Sequence, residues 1–225
     1  MTAIFVTGTG TDIGKTFVTA ALIHEFRRRG RKIAALKPVA SGFDPARIGD
    51  SDPAVLLAAL GEAATATALD RVAPWRFRAP LSPDMAARRE QRVVDFAALI
   101  DHSRAAIAAA ADMLLIEGIG GIMVPLDDRH TVIDWMTALR VPAILIGGNY
   151  LGAISHVLSA LDALRARALS VAAVVVNETP GSSVTLDETA ATIARFAAGV
   201  PVMTLPRLDR ADRPHPALQR LADLI

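Results

Sequence analysis

The stretch FVTGTGTDIGKTF, residues 5–17, decides how the rest of the chain is read. An apolar run turns through Gly8 and Gly10 and ends in Gly14-Lys15-Thr16. Gly-Lys-Thr after such a turn is the tail of a phosphate-binding loop. The usual spacing, G-x-x-x-x-G-K-[ST], fails by one residue. Five places before Gly14 stands Thr9, with Gly8 and Gly10 on either side. The setting outweighs the misfit, because the loop leaves a strand and opens a helix. Glycines there let backbone N–H groups turn toward an anion, and the helix N-terminus adds positive potential. Lys15 is placed to reach β- and γ-phosphates, and Thr16 to offer its hydroxyl to Mg²⁺.

Outward from this loop, short apolar strands alternate with longer helical stretches. Strands are expected over residues 3–7, 32–37, 112–117, 141–147, 171–177 and 200–205. Helices are expected over 15–29, 53–60, 93–111, 131–139, 153–168, 186–198 and 216–224, with an irregular region between 38 and 92. Strands that are apolar throughout and separated by helices form a parallel sheet covered on both faces. The expectation is α/β: a doubly wound, mostly parallel sheet with helices on both faces, P-loop NTPase-like, residues 1–225 forming a single domain. Trp75 and Trp135 read as packing residues.

Composition agrees and excludes some functions. Of 225 residues, 52% are hydrophobic and 21% charged, which describes a globular chain with a large core. A net charge of +1 gives no general nucleic-acid or membrane footprint. The run Arg27, Arg28, Arg29, Arg31 falls at a helix C-terminus, where cations suit the dipole. There is no cysteine, so disulfides and thiol chemistry are excluded. The apolar residues before Thr7 are too few for a signal segment, and no apolar run has the length of a membrane span. A soluble, cytoplasmic protein is expected. Only three lysines, Lys15, Lys32 and Lys37, stand among 24 basic residues.

In parallel sheets ligands gather at the carboxyl ends of the strands. Those ends carry the loop at residues 8–16, then Lys37 with Ser41-Gly42, Glu117 with the turn GIGG, Gly147-Gly148-Asn149, and Asn177. Glu117 closes an apolar strand, where such proteins hold a metal-binding carboxylate. Asp52 is a second candidate metal ligand, but spacing alone does not separate it from Asp50. Either acid could instead cap the helix that begins near Pro53. Lys37 ends the strand IAALK, and Pro38 keeps it extended. Ser41 fits a turn as well as a contact. The five histidines lack metal-ligand spacing, and no nucleophile elbow is present.

Several motifs in order, FVTGTGTDIGKT, KPVASG, Ser51-Asp52, PLSP, IEGIGG and VVVNE, resemble the dethiobiotin synthetase family over about residues 3–210. The resemblance implies an ATP-dependent closure of a cyclic urea in biotin synthesis, from 7,8-diaminopelargonic acid, CO₂ and ATP. It implies Mg²⁺ on Thr16, Asp52 and Glu117, with Lys37 and Lys15 as catalytic cations. It assigns nucleotide contacts to Asp12, Ile13, Gly14, Lys15, Thr16, Phe17, Gly118, Ile119, Gly120, Asn177, Glu178, Pro206, Arg207 and Leu208. Thr11 and Ser41 fall at the diamine, and Leu151 and Gly152 at a neighbour's substrate in a homodimer. The chain departs from the family pattern at Gly10, where aspartate is usual, at Asp84 after PLSP, and at Asn149-Tyr150. The nearest rival of the same fold is a partition- or division-site ATPase switch. Its loop carries a lysine where this chain has Gly10.

Overall fold

The computed structural model describes residues 2–225. In chain order the elements are β1 (Thr2–Gly8), α1 (Lys15–Arg28), β2 (Ile33–Leu36), β3 (Val39–Ser41), α2 (Asp52–Leu60), α3 (Ala66–Val72), β4 (Trp75–Phe77), α4 (Pro83–Arg89) and α5 (Phe96–Ala109). They continue with β5 (Met113–Glu117), α6 (Val132–Leu139), β6 (Ala143–Gly148), α7 (Ala153–Ala166), β7 (Val171–Asn177), α8 (Leu186–Phe196), β8 (Val202–Leu205) and α9 (Pro216–Asp223). Six strands form one parallel sheet in the order β2-β5-β1-β6-β7-β8.

The period of two along each strand divides the core. On β1, Ala3 and Phe5 face the layer of α5, α6, α7 and α8, while Ile4 and Val6 face α1, α2 and α9. On β5, Leu114 and Ile116 take the first side and Met113 and Leu115 the second. Both faces are buried, so neither strand alternates with polar residues. Trp135 of α6 is fully enclosed, meets Phe5 edge-on at 4.7 Å between ring centres, and donates its indole N–H to Ser103 Oγ at 3.1 Å.

The six expected strands and seven expected helices are all present, with ends moved by local chemistry. Helix α5 begins at Phe96 rather than near residue 93, because the Asp95 carboxylate caps the Ala98 N–H at 3.0 Å. Strands β6 and β8 begin just after Pro142 and Pro201, later than the apolar runs suggested. Asp134 and Thr131 form the expected capping box of α6. The region read as irregular holds more structure than that. Helices α3 and α4 lie within it, and β3 and β4 form a separate two-stranded parallel sheet.

The arginine run does end α1, and it also fastens that helix to its neighbours. Arg27 donates to the Ala59 carbonyl at the end of α2. The buried Glu25 carboxylate accepts from Arg28 at 2.5 Å and Arg29 at 2.8 Å, and Arg29 continues to Asp223 of α9 at 2.6 Å. Among the described residues no helix is long and apolar enough to cross a membrane.

Candidate active site

The loop from β1 to α1 bends over the sheet's carboxyl edge. Its turn depends on Gly14, which has φ +92°, a conformation open mainly to glycine. A Cβ there would lie 2.2 Å from Asn177 Nδ2. That amide donates to the Ile13 carbonyl at 3.0 Å and so ties the loop to the end of β7. No side chain caps α1, so its first N–H groups remain directed at the cleft. Lys15 folds back and donates to the Gly10 carbonyl at 2.6 Å. Burial, then the nearby Lys37 ammonium, push its amine down to about 8.

Behind the loop lies a compact cluster of charge. Glu117 is fully buried at the end of β5. Its Oε1 accepts from Thr16 Oγ1 at 2.7 Å and from Lys37 Nζ at 2.7 Å. Lys37 also donates to the Gly118 carbonyl at 2.9 Å and pairs with Asp52 Oδ2 at 3.1 Å. Burial works against the Lys37 charge, but Glu117 and Asp52 outweigh it and raise its pKa. At Asp52 desolvation is likewise outweighed, chiefly by the neighbouring Lys37 ammonium, and its pKa is lowered. Asp52 is the first residue of α2, and its carboxylate is turned to Lys37 rather than spent on a cap. That geometry separates it from Asp50, which lines the cleft without entering the cluster.

Thr16, Asp52 and Glu117 thus present only hard oxygen donors, two carboxylates and a hydroxyl. Glu117 Oε2 is buried without a hydrogen-bond partner. Mg²⁺ is held by one or two carboxylates together with substrate phosphates, so this donor set fits it.

A cleft of about 690 Å³ opens over the cluster. Thr11, Asp12, Gly14, Lys15, Thr16, Phe17, Lys37, Ser41, Asp52, Ile119 and Gly120 line it. Gly118 adjoins it through its carbonyl on Lys37. Ile13 points away and packs under Gly8. At the edge of β7, Glu178 accepts from the Arg207 N–H at 2.7 Å, which fastens the loop carrying Pro206, Arg207 and Leu208. Leu151 and Gly152 do not line the cleft; Leu151 is 86% exposed and Gly152 caps α7. The walls missed from the sequence are Phe43, Val124 and the Pro80–Pro83 segment. Only the proline pair of PLSP carried a signal for them.

Residues 2–215 match the family model described as AAA domain. A protein of Caulobacter sp. (strain K31) called ATP-dependent dethiobiotin synthetase BioD is 49% identical, covering 92% of this chain and 89% of its own. One of Acidiphilium cryptum with the same name is 45% identical, covering 89% and 91%. The chain belongs to the dethiobiotin synthetase family. A solved structure of Pyrococcus furiosus cell division ATPase MinD aligns with TM-score 0.60 at 16% identity, over 100% of this chain and 98% of that one. At that identity the likeness extends to the fold.

The three departures from the family pattern have distinct physical standing. A Cβ at Gly10 would meet nothing within 4 Å, so the space there accepts a larger residue. Asp84 accepts from Ser82 Oγ at 2.5 Å and lies in the first turn of α4, where a carboxylate suits the dipole. Asn149 is buried and used twice by its amide, accepting from Thr179 N–H and donating to the Val184 carbonyl. It knits two loops together. Tyr150 and His156 are hydrogen-bonded at 2.8 Å on the surface.

Proposed function

We propose that this cleft joins 7,8-diaminopelargonic acid, CO₂ and ATP into dethiobiotin, ADP and phosphate. One observation carries the reading: Lys37, Asp52 and the buried Glu117, distant in sequence, converge on the phosphate-loop residues Lys15 and Thr16 at one cleft. The whole chain, residues 1–225, acts as one unit. Thr16, Asp52 and Glu117 hold Mg²⁺, which supplies positive charge beside the nucleotide phosphates.

One amine of the diamine adds to CO₂, giving a carbamate and a proton. The carbamate oxygen then attacks the γ-phosphorus, the bond from that phosphorus to ADP breaks, and a carbamic-phosphoric anhydride forms. The second amine attacks the carbonyl carbon and loses a proton; the carbon–oxygen bond to phosphate breaks and the cyclic urea closes. The hard step brings two anions together. Lys15 and Lys37 supply fixed cations for it, and the uncapped N–H groups of α1 supply dipoles. Asp12, Ile13, Gly14 and Phe17 shape the loop around the triphosphate, with Gly118, Ile119 and Gly120 opposite. Asn177, Glu178, Pro206, Arg207 and Leu208 border the base.

Thr11 and Ser41 contact the diamine, and Leu151 and Gly152 the diamine bound by the other subunit of a homodimer. Exposed Leu151 and Met123 favour a covered face there, as does an apolar groove of about 510 Å³ that includes Met123 and Ile122. Incubation with ¹³C-bicarbonate, ATP and the diamine is expected to place the label in the urea carbonyl of the product, read by mass spectrometry. A product without label overturns the reading.

A further inference from the structure

Lys37 Nζ rests on three oxygens: Glu117 Oε1 at 2.7 Å, the Gly118 carbonyl at 2.9 Å and Asp52 Oδ2 at 3.1 Å. Two of the three N–H donors of the ammonium are hydrogen-bonded, to Glu117 and Gly118, and Asp52 lies at ion-pair distance. Two of its partners are the carboxylates assigned above to Mg²⁺. The third assigned donor, Thr16 Oγ1, gives its own hydrogen bond to the same Glu117 oxygen at 2.7 Å. A carboxylate oxygen offers two lone pairs, and both on Oε1 are taken. A metal at about 2.0–2.1 Å needs one of them. The other oxygen, Oε2, is sealed from solvent and has no partner. Like charge adds to the conflict, since a divalent ion and an ammonium on one oxygen repel.

We infer that Lys37 is a built-in competitor of the metal, holding Asp52 and Glu117 in place and leaving them for the cleft when the ion binds. This rests on the reading of Thr16, Asp52 and Glu117 as metal donors. Lys37 already lines the cleft although it is only 2% exposed. Its ammonium needs a short movement, not a loop rearrangement, to face an anionic substrate group. The exchange makes the catalytic cation available only after the metal has entered, which couples loading of the nucleotide site to readiness of the second one. It also keeps the buried Glu117 carboxylate paired throughout, avoiding the cost of an uncompensated charge.

Mn²⁺ binding to nucleotide-free protein, followed by electron paramagnetic resonance, tests this. Lys37→Met is expected to bind Mn²⁺ at least about tenfold tighter than wild type, since it lacks the competing charge. Equal or weaker binding overturns the inference. Asp52→Asn separates the two levels of the argument: loss of binding supports the donor assignment, while retained binding removes that assignment and the competition with it. The Met variant leaves two carboxylates without a cation, so the wild-type chain provides an independent readout. Its three lysines give three ammonium signals when ¹⁵N-labelled. Adding Mg²⁺ to the protein already loaded with a non-hydrolysable ATP analogue is expected to move the Lys37 signal and leave Lys32 in place. An unmoved Lys37 signal at saturating Mg²⁺ shows ion and lysine side by side, and contradicts the exchange.

Discussion

At Lys37 a buried ammonium meets two carboxylates and a carbonyl. Replacing it with a neutral side chain removes positive charge from a step in which two anions approach. Lys37→Gln is expected to lower turnover by about 10²–10³ while the chain stays folded. Near-wild-type turnover in the purified, folded variant would sink the catalytic role. Lys37→Arg is expected to be impaired as well, because a planar fork does not fit three convergent oxygens sized for an ammonium. The phosphate loop gives a contrasting pair. Gly14→Ala forces a side chain into left-handed backbone and against Asn177, and is expected to weaken ATP binding sharply in calorimetry. Gly10→Asp enters open space and is expected to bind ATP within a few-fold of wild type. Equal losses in both variants would contradict the geometry of the loop. The special standing of residues 8–16 was legible from Gly-Lys-Thr in its strand-to-helix setting. That Lys15 folds onto Gly10, and that Asn177 braces Ile13, was not, because each joins a side chain to a backbone carbonyl that spacing does not mark.

At the scale of elements, α1 carries the loop and must hold still. Its far end is fixed by Glu25, which ties Arg28 and Arg29 and through Arg29 reaches α9. Burial opposes the Glu25 charge, but the two arginines outweigh it and hold its carboxyl below the ordinary 4.5. The folded state therefore binds the Glu25 proton less readily than the unfolded chain does. This stabilisation is present above pH 4.5 and is lost as pH falls through the lowered folded value. Glu25→Gln is expected to destabilise the protein by about 1–3 kcal/mol at pH 7 in urea melts, with the gap closing in acid. A gap that persists unchanged at pH 3 contradicts the account. On the opposite face, Trp135→Ala opens a void beside Phe5 and is expected to cost about 3–5 kcal/mol. Elements of the main sheet were legible because both faces are apolar over four or more residues, as in β5 and β7. β3 and β4 are three residues each, too short to show a period, so the wall they build behind Ser41 escaped notice.

Over the whole molecule, strand order does most to assemble the site. β1 lies between β5 and β6, and β2 lies beyond β5. Residues 14–16, 37 and 117 thereby reach one edge from separate parts of the chain. Parallel order was legible in the alternation of apolar strands and helices. The order itself was not, since no local pattern states which strands are neighbours. The homodimer proposed above belongs to the same scale. Met123→Glu places a charge on the exposed apolar face and is expected to shift the protein from dimer to monomer in sedimentation. An unchanged dimer would place the interface elsewhere.

The fold is also that of the Pyrococcus furiosus ATPase MinD, so chemistry rather than architecture has to separate synthetase from switch. Phosphate release from ATP separates them most directly. With Mg²⁺ present, release is expected to be slow with ATP alone and to rise strongly when diaminopelargonate and bicarbonate are added together. Release that ignores the diamine, or that depends on DNA or lipid instead, would contradict the account.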